Sequence, residues 1–311
     1  MHVFNTLAPV FLIIALGAVL VRTKFLSHES VNHLNRLTYW VGLPALLFYK
    51  IATAQYRGGT VMDIFLVVVI GMVGVLVLGY LIAWLLRVPT SSIGTFVQAA
   101  FRGNLAFIGL PVLIYTSPDR FDLNGQNLET LGILVIAPMV PIYNLLSVIV
   151  LLVSQQKSEW RSIKTFLQPM ITNPLVIASV LGGVFAVFGW RLPLAISRTG
   201  EAIGQMALPL ALISTGGALA ATEQRGEVKS AVAASILKVA AAPIIGFYVT
   251  ELLGLGAAET RIALIYLACP TAAASYVLTS QIGGDDALAA NAVVISTLLA
   301  MVSLGVVVGL S

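Results

Sequence analysis

Residues 64–86 read IFLVVVIGMVGVLVLGYLIAWLL, from Ile64 to Leu86, with no charged residue and no polar alternation. A helix of this length covers the roughly 30 Å of hydrocarbon in a bilayer, which takes about 20 residues. A membrane β-strand alternates outward apolar and inward polar residues over about ten positions, and this run does not. The segment therefore predicts a transmembrane helix. Working outward from it, the same kind of stretch recurs along all 311 residues, of which 59% are hydrophobic and only 10% charged. Soluble domains carry about 25% charged residues, so this chain is expected to be an all-α integral membrane protein.

The apolar runs and their polar punctuation predict ten spans. They are Phe4–Val21, Leu37–Ala54, Val61–Leu86, Ile93–Tyr115, Glu129–Val153, Phe166–Phe188, Glu201–Ala221, Val228–Leu253, Arg261–Gln281 and Asp286–Leu310. A hydrophilic connector, Ser154 to Lys164, holds Lys157, Glu159, Arg161 and Lys164. It divides the chain into a first five-helix repeat (1–153), a cytoplasmic connector (154–164) and a second five-helix repeat (165–311). The stretch from Met1 to Thr23 lacks the basic start and small-residue cleavage site of a signal peptide, and reads as a retained first helix.

The two halves look like copies. At an offset of 165 residues Pro9 meets Pro174, Leu16-Gly17 meets Leu181-Gly182, and Leu43-Pro44 meets Leu208-Pro209. An ungapped register pairing two prolines and a glycine over two helices points to duplication. Five helices is an odd number, so the second copy enters the bilayer upside down. Such an inverted repeat supplies two mirror-related conformations in secondary transporters. Connections after helices one, three, five and seven hold Arg22, Lys24, Arg36, Arg87, Lys157, Arg161, Lys164, Arg225 and Lys229. The opposite side holds Lys50, Arg57, Arg120, Arg191, Arg198 and Arg261. The excess marks the first set as cytoplasmic and places both termini outside.

Proline removes a helix bond and clashes with the carbonyl four residues back, and within lipid such breaks are tolerated where they face protein or a cavity. Breaks are expected at Pro44 and Pro209, either as packing kinks or as cavity linings. Helix four reads Phe101-Arg102-Gly103-Asn104-Leu105-Ala106-Phe107-Ile108-Gly109-Leu110-Pro111, and helix nine reads Ala268-Cys269-Pro270-Thr271-Ala272-Ala273-Ala274-Ser275-Tyr276. The repeat sets Gly103-Asn104 within two residues of Pro270-Thr271. Each segment carries a helix breaker followed by a hydrogen-bonding side chain near mid-membrane. Half-helix N-termini brought together there favour a carboxylate.

The run from Arg102 to Pro111 resembles the fourth helix of the auxin efflux carrier family, which includes plant exporters and bacterial carriers of malonate or malate type. Pro270, Ser275-Tyr276-Val277-Leu278, Gly283-Gly284-Asp285 and Leu288-Ala289-Ala290 resemble helices nine and ten of the bacterial branch, and Lys238 before Pro243 resembles a basic position in its eighth. The resemblance implies a five-plus-five inverted repeat with crossed helices four and nine. It also implies elevator-like movement of a transport domain, and a fold shared with sodium-coupled bile-acid-type transporters. The short connector and Gly103, where plant members place proline, depart from the plant exporters. A homodimer is implied by the resemblance alone.

A buried Arg102 is costly in lipid. It is read either as a two-pronged partner of a substrate carboxylate or as a side chain snorkelling to the surface. Lys238 is read as neutralising substrate, occupying a cation position or stabilising carbonyls freed by a broken helix. Asn144, after Pro138 and Pro141, is a candidate site residue. For Asn291, interhelical hydrogen bonding is the expectation. Ser214-Thr215, followed by Gly216-Gly217, either line a cavity or permit close packing. Gly103, Asn104, Pro270, Thr271 and Ser275 complete the candidate substrate site, with Pro44, Pro111, Pro209 and Pro270 as helix-break positions.

Asp63, Glu129, Glu201, Glu259, Asp285 and Asp286 fall at predicted helix ends, and Glu251 lies near one, leaving no mid-membrane carboxylate to carry a proton or sodium. The histidines His2, His28 and His33 lie at or outside helix ends, and no Cys/His metal spacing, nucleophile elbow or phosphate loop occurs. The single cysteine excludes an internal disulfide. No enzyme, metal, cofactor or nucleic-acid function is expected, the formal charge of +4 being that of cytoplasmic loops. The expected partners are lipid and a small organic anion such as a mono- or dicarboxylate or an auxin-like acid. A sodium-coupled symporter, and a channel or substrate-sensing receptor, are the alternatives.

Overall fold

The computed structural model describes residues 2–53, 60–116, 128–155, 172–221 and 228–310. Most of the hydrophilic connector and the start of the sixth expected span lie outside these. In order, the helices are α1 (His2–Arg22), α2 (His28–Leu37), α3 (Leu43–Ala52), α4 (Thr60–Leu85), α5 (Thr90–Phe101), α6 (Leu110–Thr116) and α7 (Leu128–Ser154). Then come α8 (Pro174–Val187), α9 (Leu194–Ala221), α10 (Lys229–Ile236), α11 (Ala242–Leu253), α12 (Ala257–Ala268), α13 (Ala274–Ile282) and α14 (Asp286–Leu310). Among the described residues there is no strand.

Among the described residues, five segments are long and apolar enough to cross a membrane: Val61–Leu85, Leu128–Ser154, Leu194–Ala221, Lys229–Leu253 and Asp286–Leu310. Shorter apolar helices, Leu7–Arg22, Leu105–Thr116 and Pro174–Val187, accompany them. Only 33% of the most apolar window in Val61–Leu85 is buried, and Val77, Leu81 and Trp84 project outward. Water would penalise such a surface and hydrocarbon does not.

Two expectations need correction. The seventh span starts at Leu194 rather than Glu201, because the Pro193 carbonyl accepts from the Ser197 amide and starts a helix through the polar Ser197-Arg198-Thr199 run. Pro209 breaks nothing: it sits inside the continuous α9, where a proline costs one hydrogen bond without ending the helix. Pro44 is accommodated differently. It follows a π-helical turn, Thr38–Gly42, in which the Leu43 amide bonds the Thr38 carbonyl five residues back. Pro111 and Pro243 likewise stand two residues after π turns, Leu105–Gly109 and Leu237–Ala241. A wider turn makes room for the ring against the preceding carbonyls.

The chain forms two compact units, each drawing on both halves of the sequence. The first holds Met1–Val61, Ala106–Pro141 and Pro169–Ala221, the second Met62–Leu105, Ile142–Gln168 and Thr222–Ser311. In the first unit α1 packs on α9 and α3 on both α8 and α9. Glycine sets these approaches. A Cβ on Gly216 would run into the Ile14 carbonyl, and one on Gly17 into the Ile213 carbonyl. On Gly182 it would stand 3.0 Å from the Phe48 carbonyl oxygen. Shifting by the 165-residue offset turns Gly17 into Gly182 and Ile213 into Phe48. One backbone contact is therefore made twice, with the halves exchanged. Lys50 and Glu129 form a 2.7 Å ion pair in the same unit.

In the second unit α14 packs on α10, α12, α13 and α5. α4 approaches α12 at Gly71, opposite Leu267. α7 and α13 share an apolar cluster of Val148, Leu151, Leu152 and Ile282 with Leu278. Asp285 caps α14 by accepting from the Leu288 amide at 2.9 Å, and its other oxygen accepts from Ser92 at 2.8 Å.

Candidate substrate site at the crossing of two chain breaks

α5 ends at Phe101 because Arg102 turns extended (φ −79°, ψ 99°), and α12 ends at Ala268 with Cys269 likewise non-helical. The two interruptions meet within the second unit. The Asn104 amide donates to the Pro270 carbonyl at 2.8 Å and the Ala272 amide to the Arg102 carbonyl at 3.0 Å, an antiparallel bridge centred on Gly103 and Thr271. Backbone groups that lipid could not satisfy are thus paired with each other.

The end of α5 is capped by a side chain from the other break, and the end of α12 by one from a π turn. The Thr271 hydroxyl donates to the Ala99 carbonyl at 2.7 Å, one of the orphan acceptors in the last turn of α5. The Thr271 amide donates to the Ser296 hydroxyl at 3.0 Å. Lys238, fully buried in the third π turn, donates from Nζ to the Leu267 carbonyl at 2.5 Å. That carbonyl belongs to the last turn of α12, where the helix dipole favours a cation. A Cβ on Gly103 would lie 3.2 Å from Lys238 Cε, so the glycine leaves room for the lysine stem.

Arg102 is 6% exposed and Asn104 7%. Arg102 Nη2 donates to Asn144 Oδ1 at 2.6 Å, and Nη1 lies 3.4 Å from the Ala274 carbonyl in the first turn of α13. A guanidinium held at the start of a helix, among backbone dipoles and away from water, is suited to a carboxylate or another small anion.

Of the residues picked out from sequence, Arg102, Gly103, Asn104, Asn144, Lys238, Pro270, Thr271 and Ser275 all fall in this second unit. Ser214 and Thr215 belong to the first, where their hydroxyls bond back to the Leu210 and Ala211 carbonyls of their own helix. Pro44, Pro111 and Pro209 also lie in the first unit. Asn291 is buried on α14. Sequence reasoning passed over Gln98, Tyr143, Ser147, Thr279 and Ser296, all buried polar residues of the second unit. Gln98 and Thr279 each stand one helical turn from a residue that was picked out, Arg102 and Ser275. Among the described residues no group of three His, Cys, Asp or Glu side chains is arranged to hold a metal.

The profile of the family described as membrane transport protein matches residues 2–308. An uncharacterized transporter of Methanothermobacter thermautotrophicus is 24% identical over 306 residues, covering 96% of this chain and 95% of that one.

Proposed function

The chain belongs to the membrane transport protein family, and on that premise we propose that it is a secondary transporter, in efflux mode, of small organic anions. Family membership makes it a multi-pass membrane transporter and not an enzyme. The anion reading is carried by one observation: a buried Arg102 held beside the clasped breaks, at the start of α13.

The proposal includes ten spans in an auxin-efflux-type inverted repeat. The exchanged contact pairs, Gly17 on Ile213 and Gly182 on Phe48, support it. It includes elevator-type alternating access, with the unit carrying the crossing as the moving part. Lys238 on the Leu267 carbonyl places a fixed cation beside the crossing, and this supports transport without a coupled sodium. Both termini lie outside a bacterial inner membrane, a reading supported by the basic-residue bias.

Thermal denaturation of the purified protein across mono- and dicarboxylates, with and without sodium, tests this. A ligand bound only by the folded state raises Tm by mass action. Carboxylate-dependent stabilisation that disappears in Asn104→Ala is expected. Stabilisation by sodium alone would replace the reading with a sodium-coupled bile-acid-type symporter, and no response to any carboxylate would overturn it. Counterflow in liposomes separates a carrier, which exchanges substrate, from a channel or receptor, which does not.

A further inference from the structure

Among the described residues, the buried polar atoms of the second unit that lack a protein partner include Gln98 Nε2, Ser147 Oγ and Ser275 Oγ. An unsatisfied polar group in a dry interior is costly, so these three call for an explanation. Their helices bring them to one seam. On α5, Gly94 faces the Val150 carbonyl and Leu151 of α7. Two turns on, Phe101 stacks on Tyr143 at 6.2 Å and Arg102 bonds Asn144. α5 and α7 are therefore antiparallel, and their register sets Gln98 opposite Ser147. On the third side Gly284 meets Thr95, the Thr279 hydroxyl bonds Gln98 Oε1 at 3.0 Å, and the Ala274 carbonyl meets Arg102.

Each helix thus presents an i, i+4 polar pair on one face: Gln98 and Arg102, Tyr143 and Ser147, Ser275 and Thr279. The pairs make two tiers. Arg102, Tyr143 and Ser275, with Asn144 bonded to Arg102, form the tier beside the crossing. Gln98, Ser147 and Thr279 form a second, one turn or about 6 Å deeper along the helices. Below it the apolar cluster of Leu151, Leu152 and Ile282 closes the seam.

We propose that the Gln98–Ser147–Thr279 tier is a specificity subsite that binds an oxygen acceptor on the far end of the transported anion. This rests on the carboxylate reading of Arg102. Gln98 Oε1 is occupied by Thr279, which leaves the Nε2 hydrogens, with the Ser147 hydroxyl, as donors toward the seam. A carboxylate gripped in the first tier then presents its tail to donors. A hydroxyl, carbonyl or second carboxylate satisfies them, whereas an aliphatic or aromatic tail leaves them buried without acceptors, and sites of that kind discriminate strongly.

The test is titration of purified full-length protein with succinate, butyrate and phenylacetate, for wild type, Gln98→Leu, Ser147→Ala and Arg102→Gln. Wild type is expected to bind succinate at least about tenfold more tightly than the other two. Gln98→Leu and Ser147→Ala should each bring succinate down to the butyrate level while leaving butyrate affinity as it was, which also shows that the variants are folded. Arg102→Gln should weaken all three. Equal wild-type affinity for succinate and butyrate overturns the subsite, as does parallel loss of both ligands, or of neither, in the Gln98 and Ser147 variants. The anion reading survives those outcomes if binding still needs Arg102, and falls together with the subsite if wild type binds no carboxylate.

Discussion

The polar side chains picked out beside Pro209 in the first compact unit and those around the crossing in the second make their hydrogen bonds in opposite ways. In the first, Ser214 and Thr215 lie in a glycine-rich helix packed backbone to backbone on α1, and their hydroxyls turn back on carbonyls three and four residues earlier. Those bonds satisfy the hydroxyl within its own helix and ask nothing of any neighbour. In the second, Thr271, Lys238 and Arg102 reach across to other elements, and Gln98, Ser147 and Ser275 hold donors that no protein group accepts. A serine or threonine near a proline in an apolar helix is therefore ambiguous as a type. Where its hydroxyl goes separates packing from recognition.

The sharpest break of this contrast is functional. Arg102→Ala and Asn104→Ala are expected to lower uptake into proteoliposomes at least about thirtyfold, with membrane expression intact, while Ser214→Ala stays within about twofold. Wild-type rates in both crossing variants would end the assignment of the site.

Stability should separate glycines that face backbone from those that face movable side chains. Gly216→Val drives a side chain into the Ile14 backbone and should abolish recovery of monodisperse protein. Gly103→Ala meets only the movable stem of Lys238 and the tip of Leu105, and should cost about 1 kcal/mol or less in Tm-derived stability. Comparable yields of the two would show that backbone proximity does not set the first unit's packing.

Lys238→Met strands the Leu267 carbonyl, at about 1–3 kcal/mol, so a lowered Tm with residual transport is expected. Full loss of transport at an unchanged Tm would instead make the ammonium a substrate contact. The smallest effect belongs to Thr215→Val, expected within about 0.5 kcal/mol of wild type; a larger drop would mean that its back-bond stabilises α9.

Membrane class and the two breaks were legible because they are written in residue types. Charge is nearly absent, and Gly103, Asn104 and Pro270 interrupt otherwise unbroken apolar runs. Lys238 was legible as an anomaly, but its partner was not, since a backbone carbonyl has no sequence signature. Pro209 misled because proline type alone does not say whether a helix ends. The start of α9 was hidden by polar residues that a helix tolerates at its N-terminal turns. Gln98, Ser147 and Thr279 escaped because they sit far apart in the chain, and only the register of three helices aligns them.

The three π turns carry a consequence for how this chain tolerates change. Each is equivalent to one extra residue threaded into an α-helix, and one residue is about 100° of rotation. Removing a single residue from Leu237–Ala241 would leave composition and span length almost untouched, yet would swing the whole of α11 to a new azimuth. Single-residue deletions at these points should therefore be far more damaging than conservative substitutions of the same residues. An alignment that places a gap there compares the wrong faces of the helices beyond it.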